Sequence, residues 1–134
     1  MIRVVFDTNI LFSAVFKEIG IPARVFDLVV AGVLTPCVSD AVLAEYRDVL
    51  SRPVLREHTR RAMEVLDLID AVGDHVFPAV SLSVCSDPDD NCFLECAEAA
   101  SAEYLITGNT KHFPASHRQT KVVTARQLLE LLGL

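Results

Sequence analysis

The sequence predicts an α/β domain built on a mainly parallel β-sheet. Short apolar segments alternate with longer segments whose apolar residues recur at helical spacing, and this alternation is typical of parallel strands joined by helices. Polar residues follow two of the predicted strands, as DTN after IRVVF and as TGNTKH after EYLI. In open α/β sheets, ligands bind beyond the carboxyl ends of the strands. These two segments are therefore the first candidates for a functional site.

Length and composition agree with one globular domain over residues 1–134. The chain is 51% hydrophobic and 22% charged, with a net charge of −6. That charge argues against a general nucleic-acid coating protein, but it is compatible with an enzyme that clusters carboxylates around a metal cation. No apolar run reaches the length of a membrane span, and the opening MIRVVFDTNILF lacks a signal-peptide pattern. We therefore expect a cytoplasmic protein without a membrane segment.

The first half of the chain predicts two strands and three helices. The strands are MIRVVF and LTPCVS, and the helices are NILFSAVF, IPARVFDLVVAG and DAVLAEYRDVLSR. Gly20 precedes the second helix and Gly32 closes it. The third helix stops near Pro53, because proline disfavours a helical conformation in the residue before it.

The second half predicts three helices and three short strands. The helices are LREHTRRAMEVLDLIDAVG, PDDNCFLECAEAASA and ARQLLELLGL, and the strands are HVFP, EYLITG and KVVT. Gly73 ends the first of these helices. Cys92 and Cys96 lie four residues apart on the second, which leaves a soft-metal site open. Small apolar side chains in a reducing compartment are the favoured interpretation, because no cysteine belongs to a CxxC pair.

Asp90 is the acid that the helical pattern explains least. Asp87 followed by proline is typical of a helix cap, so capping alone accounts for Asp87. Asp90 instead lies on the apolar stripe of the helix, whose other members are Phe93, Leu94, Ala97 and Ser101. A capping box or a favourable interaction with the helix dipole would explain an acid in the first turn. Neither explains an acid that faces the core, so the pattern favours a functional role.

Asp7 and Glu45 are weaker candidates when each is taken alone. Asp7 directly follows the first strand, where an Asx turn or a helix cap would also suit it, with Asn9 as a competitor for that position. Glu45 borders the apolar arc of its helix, where most glutamates are solvated. Asp7, Glu45 and Asp90 belong to separate elements that a parallel sheet can bring to one cleft. Carboxylates forced together need a cation, and Mg²⁺ or Mn²⁺ prefers oxygen ligands.

Four segments in order resemble the PIN-domain family, most closely its branch of VapC-like ribonuclease toxins from toxin–antitoxin systems. They are VVFDTNILFSAVF, SDAVLAEYRDVLSRP, DPDDNCFLECAEAASAEYLITGNTKHFP and VVTARQLLELL. The resemblance implies a three-layer α/β/α sandwich and divalent-metal-dependent cleavage of single-stranded RNA. It assigns catalysis and metal binding to Asp7, Glu45 and Asp90. It assigns supporting roles to Asn9 and Thr107.

Asn109 is the departure from the family pattern, because many PIN domains have a fourth acid after this strand. An asparagine offers a neutral oxygen ligand that cannot offset the charge of a metal. Asn109 is thus expected as a metal ligand, and a second metal should bind more weakly unless Asp87 substitutes. The number of metals stays open at this point.

Basic residues suggest where a phosphate backbone would bind. Lys111 and His112 follow a strand end and are the preferred candidates for substrate binding. The arginines of SRPVLREHTRR, which are Arg52, Arg56, Arg60 and Arg61, could also grip phosphates. A solvated helix face with i,i+4 partners such as Glu57 or Glu64 explains them at least as well.

Two other functions are compatible with parts of the pattern. A catalytically silent PIN-like module that binds RNA or protein would agree with Asn109 and with the acidic net charge. A phosphoacceptor receiver domain is disfavoured, because FDTN contains one acid and no strand supplies the acceptor. The apolar helix faces VFDLVVAGV and LLELLGL suggest that a homodimer or an antitoxin covers them, although core packing would also do so.

Overall fold

The computed structural model describes residues 1–134 and contains a six-stranded sheet with six α-helices. The strands are β1 (Ile2–Phe6), β2 (Leu34–Val38), β3 (Asp74–His75), β4 (Tyr104–Ile106), β5 (Ser116–His117) and β6 (Thr120–Val123). The helices are α1 (Thr8–Phe16), α2 (Ile21–Val30), α3 (Asp40–Leu50), α4 (Thr59–Val72), α5 (Asn91–Ala100) and α6 (Ala125–Leu131). No helix combines the length and apolar character that a membrane crossing requires.

The strand order β3-β2-β1-β4-β6-β5 confirms the predicted α/β fold with a mainly parallel sheet. All neighbouring strands are parallel except the β5–β6 pair. The chain moves outward from β1 to β2 and later returns from β3 to β4 on the other side of β1. Because parallel crossovers are right-handed, these opposite directions place α2 and α5 on opposite faces of the sheet. The order of the strands thus reverses between β1 and β4, at a topological switch point.

The central strand β1 is set in register with both of its neighbours. Its residues Val4, Val5 and Phe6 are fully buried, as expected for a strand covered by helices on both faces. Phe6 pairs with Ile106 at the carboxyl ends of β1 and β4. The next residue of each strand therefore emerges at the same edge of the sheet.

Tyr46 connects α3 to the end of β1. The side chain is buried, and its hydroxyl donates a hydrogen bond to the carbonyl oxygen of Phe6. The ring also packs against Phe93 of α5, with ring centroids 6.4 Å apart. Since Glu45 precedes Tyr46 and Asp7 follows Phe6, this hydrogen bond determines where α3 lies relative to the end of β1.

The structure differs from the predicted elements at several boundaries. The helix predicted from Leu55 is a 3₁₀ turn over Pro53–His58, and α4 begins only at Thr59. The strand predicted at HVFP begins and ends earlier, as β3 over Asp74–His75. Pro78 cannot extend it, because proline has no N–H for a ladder hydrogen bond. The helix predicted from Pro88 starts as a 3₁₀ turn, Pro88–Asp90, before α5.

Two other features were not predicted correctly near the end of the chain. Ser101, expected on the buried stripe, is exposed and ends α5 in a left-handed conformation. The antiparallel strand β5 was missed because its two residues are too few to form a periodic pattern. A turn at Arg118, whose φ is 55°, returns the chain to β6.

We expect that Tyr46→Phe lowers the free energy of unfolding by about 1–2 kcal/mol, because it removes the buried donor to the Phe6 carbonyl. Urea denaturation followed by circular dichroism measures the change. Tyr104→Phe is the matched control, at a half-buried tyrosine of β4. Equal effects of the two substitutions would show that the hydroxyl of Tyr46 does not anchor α3.

Candidate active site

Asp7 is a buried carboxylate at the switch point of the sheet. Its backbone N–H donates to the carbonyl of Ile106 at 2.9 Å, so the residue is still held by β4. The hydroxyl of Thr107 donates to Oδ2 of Asp7 at 2.7 Å. Burial raises the pKa of the Asp7 carboxyl, and the hydrogen bond from Thr107 opposes that rise. Asp7 occupies the cap position of α1 without a well-aligned side-chain capping hydrogen bond, although the backbone N–H groups of Thr8 and Asn9 also lower its pKa.

Thr107 and Asn9 join the end of β4 to the start of α1. Thr107 is fully buried, and its hydroxyl accepts the N–H of Asn109 at 2.9 Å while it donates to Asp7. Oδ1 of Asn9 accepts the N–H of Gly108 at 3.2 Å. The two residues that the family pattern marks as supporting therefore hold the loop after β4 beside Asp7.

Asp90 lies at the start of α5, near enough to Asp7 for the two negative charges to interact. Its side chain is 17% exposed and forms no capping hydrogen bond, so the capping-box interpretation of Asp90 is wrong. Burial, together with the negative charges of Asp7 and Asp87, raises the pKa of Asp90 to about 6. Asp87 accepts the N–H of Asp89 at 3.0 Å, and thus caps the turn that precedes α5.

Glu45 lies farther from the other two acids. It is half-buried on α3, and burial is the main cause of its raised pKa, followed by the charge of Asp48. The charge of Asp7 contributes to the raised pKa of Glu45 only weakly. No group of three histidine, cysteine, aspartate or glutamate side chains lies close enough together to hold a metal ion. The structure therefore brings Asp7 and Asp90 into one charged site, with Glu45 at its border.

The residues after β4 lie at the rim of this site. Asn109 is exposed, and its hydrogen bonds are made by its backbone, whose N–H donates to the Thr107 hydroxyl and whose carbonyl accepts the N–H of His112 at 3.0 Å. Nδ1 of His112 is 3.6 Å from Oδ2 of Asp90, and the positive charge of a protonated His112 would lower the pKa of Asp90. Lys111 is exposed beside His112 and forms no ion pair. His112 is the basic residue that the structure places against an acid of the site.

The arginines before α4 and in its first turn mostly contact residues outside the site. Arg52 pairs with Asp48 at 3.0 Å and Arg60 pairs with Glu64 at 3.5 Å, both with i,i+4 spacing. Arg61 lies over the ring of Phe26, 5.9 Å from its centroid. The interpretation of this segment as a solvated helix face with local partners fits these contacts. The partner of Arg52 is Asp48, which the sequence had not indicated.

The cysteines do not form a soft-metal site. All four are free, and Cys96 is buried. Burial raises the pKa of Cys92 and of Cys96 to about 12. A cysteine binds metal as a thiolate, and these thiols stay protonated near neutral pH. Cys92 and Cys96 therefore act as small apolar side chains.

Asn91 supports the site, although the sequence analysis did not identify it. The helical pattern placed Asn91 to one side of Asp90, but its side chain is buried. Oδ1 accepts the N–H groups of Val84 and Cys85 at 3.1 and 3.0 Å, and Nδ2 donates to the carbonyl of Pro88 at 3.1 Å. Asn91 thus fastens the irregular segment before α5 to the turn that carries Asp90. These bonds depend on the path of that segment, which has no periodic signal.

Arg126 is the second residue that the sequence analysis missed. It is exposed at the start of α6, in a segment that was interpreted only as a helix start. The structure places it on the wall of a cleft of about 410 Å³, together with Asn9, Thr107 and Asn109. A cationic side chain therefore lies in the cleft that adjoins Asp7.

Comparisons with known proteins agree with this fold. The chain is 28% identical to the uncharacterized protein MJ1680 of Methanocaldococcus jannaschii over 141 aligned positions, covering 96% of this chain and 90% of that protein. The crystal structure of VapBC2 from Rickettsia felis, bound to a DNA fragment from its promoter, contains a chain with a similar fold. The TM-score is 0.58 at 18% identity, covering 92% of this chain and 98% of that one. Residues 3–111 match the PIN domain, and the protein therefore belongs to the PIN-domain family.

Proposed function

We propose that the protein is a divalent-metal-dependent endoribonuclease that cleaves single-stranded RNA, with its activity in a single domain over residues 1–134. The observation that carries the proposal is the buried Asp7 at the switch point, beside Asp90 and without a basic ion-pair partner. Carboxylates in such a position repel one another unless a cation neutralises them. Membership of the PIN family supports the proposal, since PIN domains are typically nucleases.

The donor set suits a hard divalent cation. Asp7, Asp90 and Glu45 supply carboxylate oxygens, and Asn109 at the rim supplies an amide oxygen, all of which Mg²⁺ and Mn²⁺ accept. Burial is the main cause of their raised pKa values, and neighbouring carboxylates add to it at Asp90 and Glu45, so their negative charge is poorly balanced. When bound, the ion would supply that balance and would activate a water molecule toward a phosphodiester. Asp7 and Asp90 would hold it, with Glu45 joining from α3.

The other residues of the site position these acids and the substrate. Thr107 orients Oδ2 of Asp7 by donating to it, and Asn9 holds the loop after β4 through Gly108. His112, beside Asp90, and Lys111 face solvent at the rim, where they would bind the phosphates of an RNA strand. The chain thus supplies an anionic centre with cationic side chains at its edge.

We assign the protein to the cytoplasm, as the toxin of a toxin–antitoxin pair. The likeness in fold to a chain of the VapBC2 complex supports this assignment. The helices α2 and α6 pack against each other, and both leave apolar side chains exposed, among them Val30 and Leu131. A homodimer or an antitoxin would cover these side chains.

A catalytically silent module that binds RNA or protein is the second candidate. Two observations favour it, namely the neutral Asn109 in place of a fourth acid and the separation of Glu45 from the other acids. The two functions differ in whether RNA is cut.

We expect that the purified protein cuts a fluorescent single-stranded RNA in Mn²⁺ and that EDTA stops the reaction. Asp90→Asn should lower the rate by about 100-fold or more, because it removes charge that acts in the transition state. Asp89→Asn, at an exposed acid of the same turn, is the matched control and should cut normally. RNA binding without cleavage by the wild-type protein would favour the silent module.

The raised pKa of Asp90, which burial and the neighbouring acids cause, should be visible in the stability of the metal-free protein. Because its pKa is higher in the folded protein than in the unfolded chain, folding favours the protonated acid. The free energy of unfolding should therefore rise as the pH falls from 7 toward 5. For the same reason, Asp90→Asn at pH 7 in EDTA should stabilise the fold by about 1 kcal/mol after solvent screening.

Thermal unfolding with and without Mn²⁺ measures how far ionised Asp90 destabilises the fold and how far the metal relieves that destabilisation. Mn²⁺ should raise the Tm of the wild-type protein and should raise that of Asp90→Asn much less, because ligands stabilise the state that binds them. Asp89→Asn should respond like the wild type. A Tm of the wild-type protein that is insensitive to Mn²⁺ would count against a metal site at these acids.

Asn109→Asp should strengthen metal binding, because it restores a negative ligand at the rim of the site. We expect the Mn²⁺ concentration for half-maximal cleavage to fall by about tenfold. A titration of cleavage rate against Mn²⁺, with the wild-type protein beside the variant, measures the change. An unchanged midpoint would place residue 109 outside the metal site.

A further inference from the structure

A continuous groove leads away from the candidate active site along α1 and α2. Its first part is the cleft of about 410 Å³ that Thr107 and Arg126 line. A second cavity of about 300 Å³ lies beside the end of α1, where Phe16 and Lys17 line it. The two cavities share Ser13, Ile21 and Pro22, so they are parts of one depression. We call it the α1–α2 groove.

The groove begins at the acids of the site. Thr107 lines its first part and donates to Oδ2 of Asp7. Asn9, which lines the same part, and Phe16, in the second part, are seven residues apart on α1, which is about 10 Å along a helix. The groove is thus long enough for a short stretch of an extended strand that starts beside Thr107, the hydrogen-bond partner of Asp7.

The charge of the groove is opposite to the charge of the protein as a whole. The chain carries a net charge of −6, yet no carboxylate lines either part of the groove. The charged side chains that do line it are Arg126 and Lys17, one in each part, and neither forms an ion pair. Two free cations in an acidic protein are complementary to a polyanion.

The far part of the groove offers an aromatic surface. Phe16 is 52% exposed, and its ring lies parallel to that of Phe12, with centroids 6.0 Å apart and an interplanar angle of 8°. The ring of His58 also lies against Phe16, with centroids 5.4 Å apart. Aromatic rings that are exposed beside a cation are the typical platform on which the bases of single-stranded nucleic acids stack.

We propose that the α1–α2 groove binds the RNA strand on one side of the cleavage site. In this inference, which rests on the proposed function, Arg126 binds a phosphate next to the site and Phe16 stacks on a base farther along. Lys17 binds a second phosphate beside that base. An apolar helix of a partner would find Arg126, Asn9 and Asn109 at one end of the groove, where it has no polar groups to pair with them.

The first experiment measures RNA binding without cleavage. A 5′-fluorescein single-stranded RNA of about twelve nucleotides is titrated with Asp7→Asn protein in Mn²⁺, and fluorescence anisotropy gives the Kd. Adding Phe16→Ser should weaken binding at least about fivefold, because a stacked base is lost. Phe77→Ser, at an aromatic residue that is 81% exposed and outside the groove, is the matched control and should leave the Kd unchanged.

Arg126→Gln has a signature that a merely structural role would not produce. It should weaken binding and lower the slope of log Kd against log salt concentration by about 0.7, as expected for one lost phosphate contact on a single strand. Arg24→Gln is the matched control, since Arg24 is exposed on α2 and does not line the groove. Thermal unfolding of each variant checks that it is folded.

Cleavage by variants that retain Asp7 separates the two proposals. If the wild-type protein cuts RNA and the groove substitutions change neither the Kd nor the salt slope, the groove is not an RNA site and the proposed function stands. If the wild-type protein does not cut but the groove variants bind RNA more weakly, the groove is an RNA-binding site and the proposed nuclease activity is contradicted. If Phe16→Ser instead dissociates a homodimer in light scattering at unchanged Kd, the groove is a subunit interface and the inference is overturned.

Discussion

The burial of the Asp7 carboxylate at the end of the central strand is the constraint on which the site depends. An ionised carboxylate in a poorly solvated position is costly unless hydrogen bonds or opposite charges compensate it. Here hydrogen bonds from the Thr107 hydroxyl and from the backbone of Thr8 and Asn9 offset only part of the effect of burial, because the pKa of Asp7 stays raised. Asp90 adds a second negative charge nearby, which makes the position less favourable still. The sheet tolerates this because its apolar strands supply the stability that the site lacks.

The surrounding elements hold the acids in place through hydrogen bonds to backbone atoms. Tyr46 donates a hydrogen bond to the last carbonyl of β1. Asn91 makes hydrogen bonds to backbone groups on both sides of Asp87 in the sequence. Asn9 does the same for the loop after β4. None of these three side chains carries a charge. Neutral polar groups therefore fix the positions of acids that would otherwise separate, which is the arrangement expected of a preorganised binding site.

The sequence was most informative where a long element carried a strong pattern. The apolar run of β1 and the amphipathic α3 were predictable because periodicity and burial impose them locally. The polar residues after β1 and β4 indicated the site because parallel strands end at one edge. Asn91 and Arg126 were not predictable, since their significance depends on how a loop and a terminal helix pack against distant elements. The two-residue strand β5 is too short for any periodic signal.

Asp7 and Asp90 are attached to the fold in different ways. Asp7 extends from β1 at the middle of the sheet, whereas Asp90 stands on a turn that Asn91 fastens to an irregular segment. Local opening of a protein begins in segments with few buried contacts and leaves central strands intact. If the site opens locally, the opening is therefore expected on the side of Asp90, while Asp7 stays in place. Such asymmetry allows a ligand to enter or leave without any unfolding of the sheet.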